Sequence, residues 1–268
     1  LTVRRASTAP LRRPSSPALT VGLAAFTLMA LAQAPVPFVD DDRLFTTVVV
    51  VAFFVATCAL AADVWPPSRV AAAAGAVVVG TLALEWVGHT TGWPFGAYNY
   101  TAALMPQVGG VPVIVPLAWF AMAVPAREVA ARLVGPGWAR VALAAVALTA
   151  WDLMLDPQMV EAGYWVWEAD GPWRGIPLSN YAGWLVSSAV VMVVLDRVLP
   201  SPGRIQTGRL LLALYTWWGF SEALAFVVFF GDPVVGLVGG AAMLGLATLA
   251  WRTELRLPRG TATYGSRG

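Results

Sequence analysis

Eight apolar runs leave this chain few ways to fold. They lie at roughly 18–35, 44–62, 69–89, 112–131, 139–156, 181–199, 208–230 and 234–251. Each approaches the length needed to cross a hydrocarbon layer of ~30 Å. Only 12% of the 268 residues are charged and 58% are hydrophobic, which is the balance of an integral membrane protein rather than of a soluble core. The expected fold is all-α, a polytopic membrane helical bundle of about eight transmembrane helices. Residues 18–251 read as a single membrane domain, and the polar stretches 1–17 and 252–268 as disordered cytoplasmic tails. Arg4, Arg5, Arg12 and Arg13, followed by an apolar stretch ending Ala32-Gln33-Ala34, also resemble a cleavable secretory signal. With or without cleavage, the next span enters from the same side.

Charge sets the expected orientation. The chain has no lysine. Fifteen of its seventeen arginines fall at one set of alternate loops and tails, and only Arg43 and Arg174 at the other. The positive-inside rule then puts both termini in the cytoplasm of a multi-pass cell-membrane protein. The same rule accounts for the basic balance without invoking nucleic acid. One cysteine, Cys58, supplies neither a disulfide framework nor a thiolate metal site. One histidine, His89, excludes a bis-histidine haem, and the absence of lysine excludes a retinal or pyridoxal Schiff base.

Against this apolar background four acids stand out: Glu85, Asp152, Asp156 and Glu222. Each comes about 14 to 18 residues into its run, so at about 1.5 Å per residue they share a depth near one face of the bilayer. Ionisable groups in lipid are costly and mark functional sites by default. Glu85 and His89 are four apart and share a helix face, as do Asp152 and Asp156. Two carboxyls so close do not both ionise easily. The protonated one is a proton donor and the ionised one a base. Structural alternatives exist for each: Asp156-Pro157 as a helix terminator, Asp152 and Glu222 as buried hydrogen-bond partners, His89 as a prop for Glu85. Asp152-x-x-x-Asp156 also has the look of a prenyltransferase aspartate motif, but a second such motif and the basic groups a diphosphate needs are missing. Gly236 and Gly240 read as helix packing.

The two long loops at the acid end, 90–111 and 157–180, carry Tyr98, Tyr100, Tyr164, Trp165 and Trp167 among glycines and prolines. Such aromatics are either an interfacial belt or ordered loops dipping back into the bundle to line a substrate site. The loops echo each other. Each follows a helix with an acid near its outer end, and each ends Gly-aliphatic-Pro, at Gly110-Val111-Pro112 and Gly175-Ile176-Pro177. Each then places a tryptophan nine residues past that glycine, at Trp119 and Trp184. The echo suggests that the third and fourth helices repeat in the fifth and sixth, around a shared cavity.

At these residues the chain resembles a known family. Glu85-x-x-Gly88, Gly92-x-Pro94-Phe95-Gly96-x-Tyr98-x-Tyr100 and Pro116-Leu117-Ala118-Trp119 carry the likeness. So do Trp151-Asp152-Leu153-x-Leu155-Asp156-Pro157-Gln158 and Gly175-Ile176-Pro177-Leu178-Ser179-Asn180-Tyr181-x-Gly183-Trp184. These are similar to motifs of the carotenoid 1,2-hydratase family of carotenoid-biosynthesis membrane proteins, from about residue 80 to 232, with nothing added by the tails and first two spans. The resemblance implies addition of water to the terminal C1=C2 bond of an acyclic carotenoid end group, giving a tertiary alcohol. It implies no cofactor. The expected partners are that carotenoid and the surrounding lipid, with association with other enzymes of the pathway left open.

The expected catalytic set is Asp152, Glu85, Asp156 and Glu222, with Asp152 as proton donor. The expected substrate contacts are His89, Tyr98, Tyr100, Trp119, Tyr164, Trp165, Trp167, Asn180, Tyr181 and Trp184. No metal site is expected. Rival readings are another carotenoid end-group enzyme, such as a cyclase or elongase, and a proton-coupled transporter. A transporter would expose acids to both sides, whereas here the cytoplasmic halves of the spans read as lacking acid partners. The expected topology is testable with reporter fusions. Fusions at residues 104 and 170 should report an external location and those near 135 and 203 a cytoplasmic one. Reversal at any two would displace the site to the other face.

Overall fold

Local chemistry starts and stops the helices much where hydropathy does. A computed structural model describes residues 16–200 and 208–256, and the structural statements below concern these. The expected disorder of the tails therefore falls largely outside the described residues. Ser16 caps α1 (Pro17–Gln33) by accepting from the Leu19 N–H at 3.0 Å. Proline opens α3 (Pro67–Thr91) and α8 (Pro233–Arg256), where a missing N–H costs nothing. Gly92, with φ of 75°, ends α3. The remaining helices are α2 (Arg43–Ala62), α4 (Ile114–Leu133), α5 (Trp138–Glu161), α6 (Leu178–Val198) and α7 (Arg209–Val228). All eight are long and apolar enough to span a membrane, as expected. Four short strands, β1 (Tyr98–Tyr100), β2 (Gln107–Val108), β3 (Val111–Pro112) and β4 (Trp165–Trp167), lie in the two long loops.

Helix α4 is the hub. It packs against α2, α3, α5, α6, α7 and α8, and an unbroken stretch from Trp119 to Ala130 is buried. In lipid no hydrophobic force drives one helix onto another, so close packing of small residues matters. Gly236 and Gly240 behave as expected: a Cβ at either would come within 2.7 Å of Ala223 on α7.

Two prolines sit inside helices and neither ends its helix. The reading of Asp156-Pro157 as a terminator is thus overturned, since α5 continues to Glu161. A helical proline strands the carbonyl four residues earlier. For Pro157 that carbonyl is Leu153, and Trp173 in the following loop donates to it at 3.1 Å. For Pro125 it is Ala121, and Thr57 on α2 donates to it at 3.0 Å. Partners from neighbouring elements make the helices continuous.

The end of the bundle away from the long loops corrects a second expectation. It does contain acids. Glu128, Asp196 and Glu254 are drawn into a network with arginines that the sequence suggested were simple flanking charges. Arg127 pairs with Asp196 at 2.7 Å, Arg140 with Asp196 at 2.7 Å, Arg132 with Glu128 at 2.7 Å and Arg209 with Glu254 at 2.6 Å. Arg127, Arg132, Arg140, Glu128 and Glu254 are all buried. Burying charge is tolerable only when it is paired, and arginine's fork suits several acceptors at once.

The proline repair makes a prediction. Thr57→Val keeps shape but removes the donor, so it should cost about 1 kcal/mol in detergent denaturation. In a Pro125→Ala background the helix supplies its own N–H, and the cost of Thr57→Val should shrink. An undiminished cost would mean that Thr57 acts by packing alone.

Candidate active site

The two long loops fold onto each other above the bundle. Strands β1 and β4 pair antiparallel, with Tyr98 opposite Trp167, Asn99 opposite Val166 and Tyr100 opposite Trp165. Thr101 N–H donates to the Tyr164 carbonyl at 3.0 Å and Glu168 N–H to the Ala97 carbonyl at 2.9 Å, extending the pairing at both ends. In a strand alternate side chains face one side. Tyr98, Tyr100, Trp165 and Trp167 accordingly turn inward, and all four line a cavity. Phe95 wedges between α3 and α6: a Cβ at Gly88 or at Gly183 would come within 2.8 Å of its ring, so neither helix could carry a side chain there. Ser179 at the start of α6 ties the same loop by donating to the Phe95 carbonyl at 2.9 Å.

Beneath the strands lies a cavity of about 440 Å³, and all four acids line it. Glu85 is fully engaged. Its Oε2 accepts from Tyr98 at 2.5 Å and Tyr100 at 2.8 Å, and its Oε1 from the Trp119 indole at 2.7 Å. Burial, followed by the nearby Glu85 carboxyl, pushes both phenols well above their usual range, so they remain donors at any ordinary pH. Asn180 bridges the aspartates. Its Nδ2 donates to Asp152 Oδ2 at 2.7 Å and to Asp156 Oδ2 at 2.6 Å. The second oxygen of Asp156 accepts from Trp165. Glu222 Oε2 accepts from Trp151 at 2.9 Å. That leaves two cavity-wall oxygens, Asp152 Oδ1 and Glu222 Oε1, buried and without a hydrogen-bond partner among the described residues.

Tryptophans hold the walls. Trp119 stacks on Trp184 with centroids 4.0 Å apart, Trp184 meets Trp151 edge-on at 6.3 Å, and Trp151 meets Trp218 at 5.6 Å. No arginine lines the cavity among the described residues, so a diphosphate would find no counter-charge there. Nor is any group of three His, Cys, Asp or Glu placed to hold a metal ion among those residues. Outside the cavity, Arg174 on the second loop pairs with Asp232 at the start of α8. This pair holds the Asp232 carboxyl below its ordinary range. Its stabilising effect is therefore full at neutral pH and fades only as pH falls through that lowered value. Exposure keeps the effect small.

Three expected substrate contacts lie off the cavity wall. His89 is one turn beyond Glu85, packs edge-on against Tyr100 at 6.1 Å and bonds the Gly109 carbonyl at 2.9 Å, so it props the loop. Tyr164 is buried with its hydroxyl on Asp42, just before α2. The Tyr181 hydroxyl is buried without a hydrogen-bond partner among the described residues. Conversely, Trp151, Trp217, Trp218 and Phe53 line the cavity and were not anticipated, nor was the contribution of Gln33 and Thr46 from the first two spans. Trp218 is four residues before Glu222, and the same-face rule that paired the acids would have found it.

A family described as Carotenoid biosynthesis protein matches residues 44–250, a stretch holding every cavity-lining acid. The chain belongs to that family. A relative, the bisanhydrobacterioruberin hydratase of Haloarcula japonica, is 33% identical over 181 residues, which are 64% of this chain and 60% of the relative. The match thus spans less than two thirds of that protein. No solved structure matches the chain.

Tyr98→Phe removes one of the three donors to a buried carboxyl and should lower stability by about 1–3 kcal/mol. Tyr181→Phe removes a hydroxyl without a hydrogen-bond partner among the described residues and should be neutral or stabilising. Thermal unfolding in detergent separates the two, and equal costs would contradict the hydrogen-bond assignment.

Proposed function

We propose that this carotenoid-biosynthesis protein is a carotenoid hydratase, adding water across the terminal C1=C2 bond of an acyclic end group to give a tertiary alcohol. The observation that carries the reading is the pair of uncommitted oxygens, on Asp152 and Glu222, in one aromatic-walled cavity. The name of the Haloarcula relative points the same way.

The reaction needs an acid, a shelter for a cation and a controlled water. Asp152 delivers a proton from Oδ1 to C2, and the π electrons of the alkene form the new C–H bond. The positive charge left at C1 is tertiary, and Trp151, Trp184 and Trp218 offer it ring faces and edges at about 0.5–2 kcal/mol for each well-placed face. Glu85, committed to three donors, and Asp156, with both oxygens bonded, are fixed negative or polar groups around that charge. Water bonds to C1 and loses its second proton to Glu222 Oε1. The alcohol leaves, and a proton passing from Glu222 to Asp152 through cavity water resets the site. Asn180 fits a carboxyl pair sharing one proton, because a single amide cannot offset two full charges. The arginine distribution supports placing this chemistry near the extracytoplasmic face, with both termini cytoplasmic. We also read α3–α4 and α5–α6 as related halves, supported by the β1–β4 pairing and the Trp119–Trp184 stack.

A proton-coupled carrier fits less well. The acids at the far end of the bundle are in ion pairs with arginine rather than free to exchange protons. A cyclase would also use a carbocation, and product mass decides between the two.

The test is the pigment profile of a lycopene-producing cell expressing the chain. An added water mass is expected, and an unchanged mass with a cyclised end would favour the cyclase. Asp152→Asn should lose at least about 10²-fold of alcohol formation while folding, because the amide keeps the shape but is a very poor acid. Asp156→Asn should be milder and mainly shift the pH profile. Near-normal activity in Asp152→Asn with loss in Glu222→Gln would move the donor to α7.

A further inference from the structure

The acid cavity is small, and the substrate class proposed above is a rigid rod about as long as the ~30 Å hydrocarbon layer. Pockets of 300–1,000 Å³ hold roughly drug-sized ligands, so a cavity of about 440 Å³ takes an end group and leaves most of the rod outside. The wall is not uniformly closed. Around the acids it is built of buried rings, Trp119 and Trp151 among them. On one side, however, Phe38, Phe220, Leu224 and Phe229 line the cavity and are also 70%, 50%, 44% and 46% exposed, so the wall there is open rather than buried.

These residues mark the gap between α1 with its following 3₁₀ turn (Val36–Phe38) and the acid-end half of α7. Helix α1 packs along α2. It reaches α7 through side chains: Trp217 donates to Gln33 Oε1 at 2.7 Å and meets Phe26 edge-on at 6.2 Å, while Phe38 meets Phe229 edge-on at 5.2 Å. A seam closed by a few side-chain tips opens by rotamer changes alone, without unpacking helices.

We propose that this seam is the binding subsite for the polyene chain, which runs from the acid cavity between Phe38 and Phe229 into the bilayer. The proposal rests on the hydratase reading for the chemical class of its ligand. Flat aromatic rings and aliphatic tips suit a flat conjugated chain, and an opening into lipid spares the substrate any passage through water. The far end of the carotenoid then touches nothing in the protein. Selection acts on the end group and its first isoprene units, and total chain length and the opposite end group go unread. A substrate with two reactive ends must leave and re-enter reversed to be modified twice.

The experiment places a photo-crosslinking phenylalanine analogue at Phe38 or Phe229, and as controls at Val79 or Val186, which are 67% and 59% exposed on α3 and α6. Each full-length variant is made in a carotenoid-producing membrane, illuminated, and assayed for pigment adduct by absorbance and mass. A several-fold excess of adduct at Phe38 and Phe229 is expected. Equal labelling at all four positions, or none at any, overturns the subsite. This readout is independent of catalysis, so adduct at the seam without water addition would reject the hydratase reading and leave the subsite standing. Where hydration occurs, a two-ended substrate should pass through the mono-alcohol before the diol. A diol formed without a free mono-alcohol overturns the one-end-per-encounter consequence.

Discussion

In lipid a polar group without a partner has no water to fall back on, and this constraint shapes the whole molecule. It explains why each intrahelical proline is matched by a donor from elsewhere, Thr57 for Ala121 and Trp173 for Leu153. It explains the arginine–carboxylate network at one end and the rings of indole and phenol donors around the acids at the other. Several buried polar atoms are left without a hydrogen-bond partner among the described residues, and those of Asp152 and Glu222 are informative because they are the carboxyl oxygens on the cavity wall. A partly satisfied polar cluster is expensive, and in the proposed reaction these two oxygens are the ones that meet the substrate and the water.

The strand pair serves the same end by different means. Loops over a membrane bundle are usually variable connections. Here pairing between β1 and β4 fixes four aromatic side chains over the acids and couples two helix pairs through backbone bonds. Precision in such a site comes from rigid support rather than from the loop's own preferences.

The sequence made the bundle readable because hydropathy reports directly on lipid contact, and helix ends fell within about five residues of where composition put them. The convergence of four acids was readable from depth and cost, since they share a height on three spans that run the same way and ionisable groups avoid lipid. What failed was partner choice across long separations. The continuation of α5 through Pro157 depends on Trp173, in a loop that local rules treat as unrelated. An arginine near a helix end reads the same whether it faces headgroups or, like Arg127, is buried against Asp196. His89 shares a face with Glu85, yet one helical turn of rise carries it past the cavity to the Gly109 carbonyl. Tyr164 sits in the right segment, yet its hydroxyl bonds Asp42, and Tyr181 lies off the cavity wall.

The donors around the acids have a further consequence, for biogenesis. Glu85 takes its hydrogen bonds from Tyr98, Tyr100 and Trp119, all within the hairpin formed by α3, its loop and α4. The aspartates of α5 take theirs from Trp165 and Asn180, within the next hairpin. Glu222 finds Trp151, synthesised some seventy residues earlier. Each carboxyl thus enters the membrane with its quenching groups on the same insertion unit or already in place. A nascent chain leaving the ribosome in order would bring each acid into lipid with at least one donor at hand, which lets a polar cavity be threaded into a bilayer one helix pair at a time.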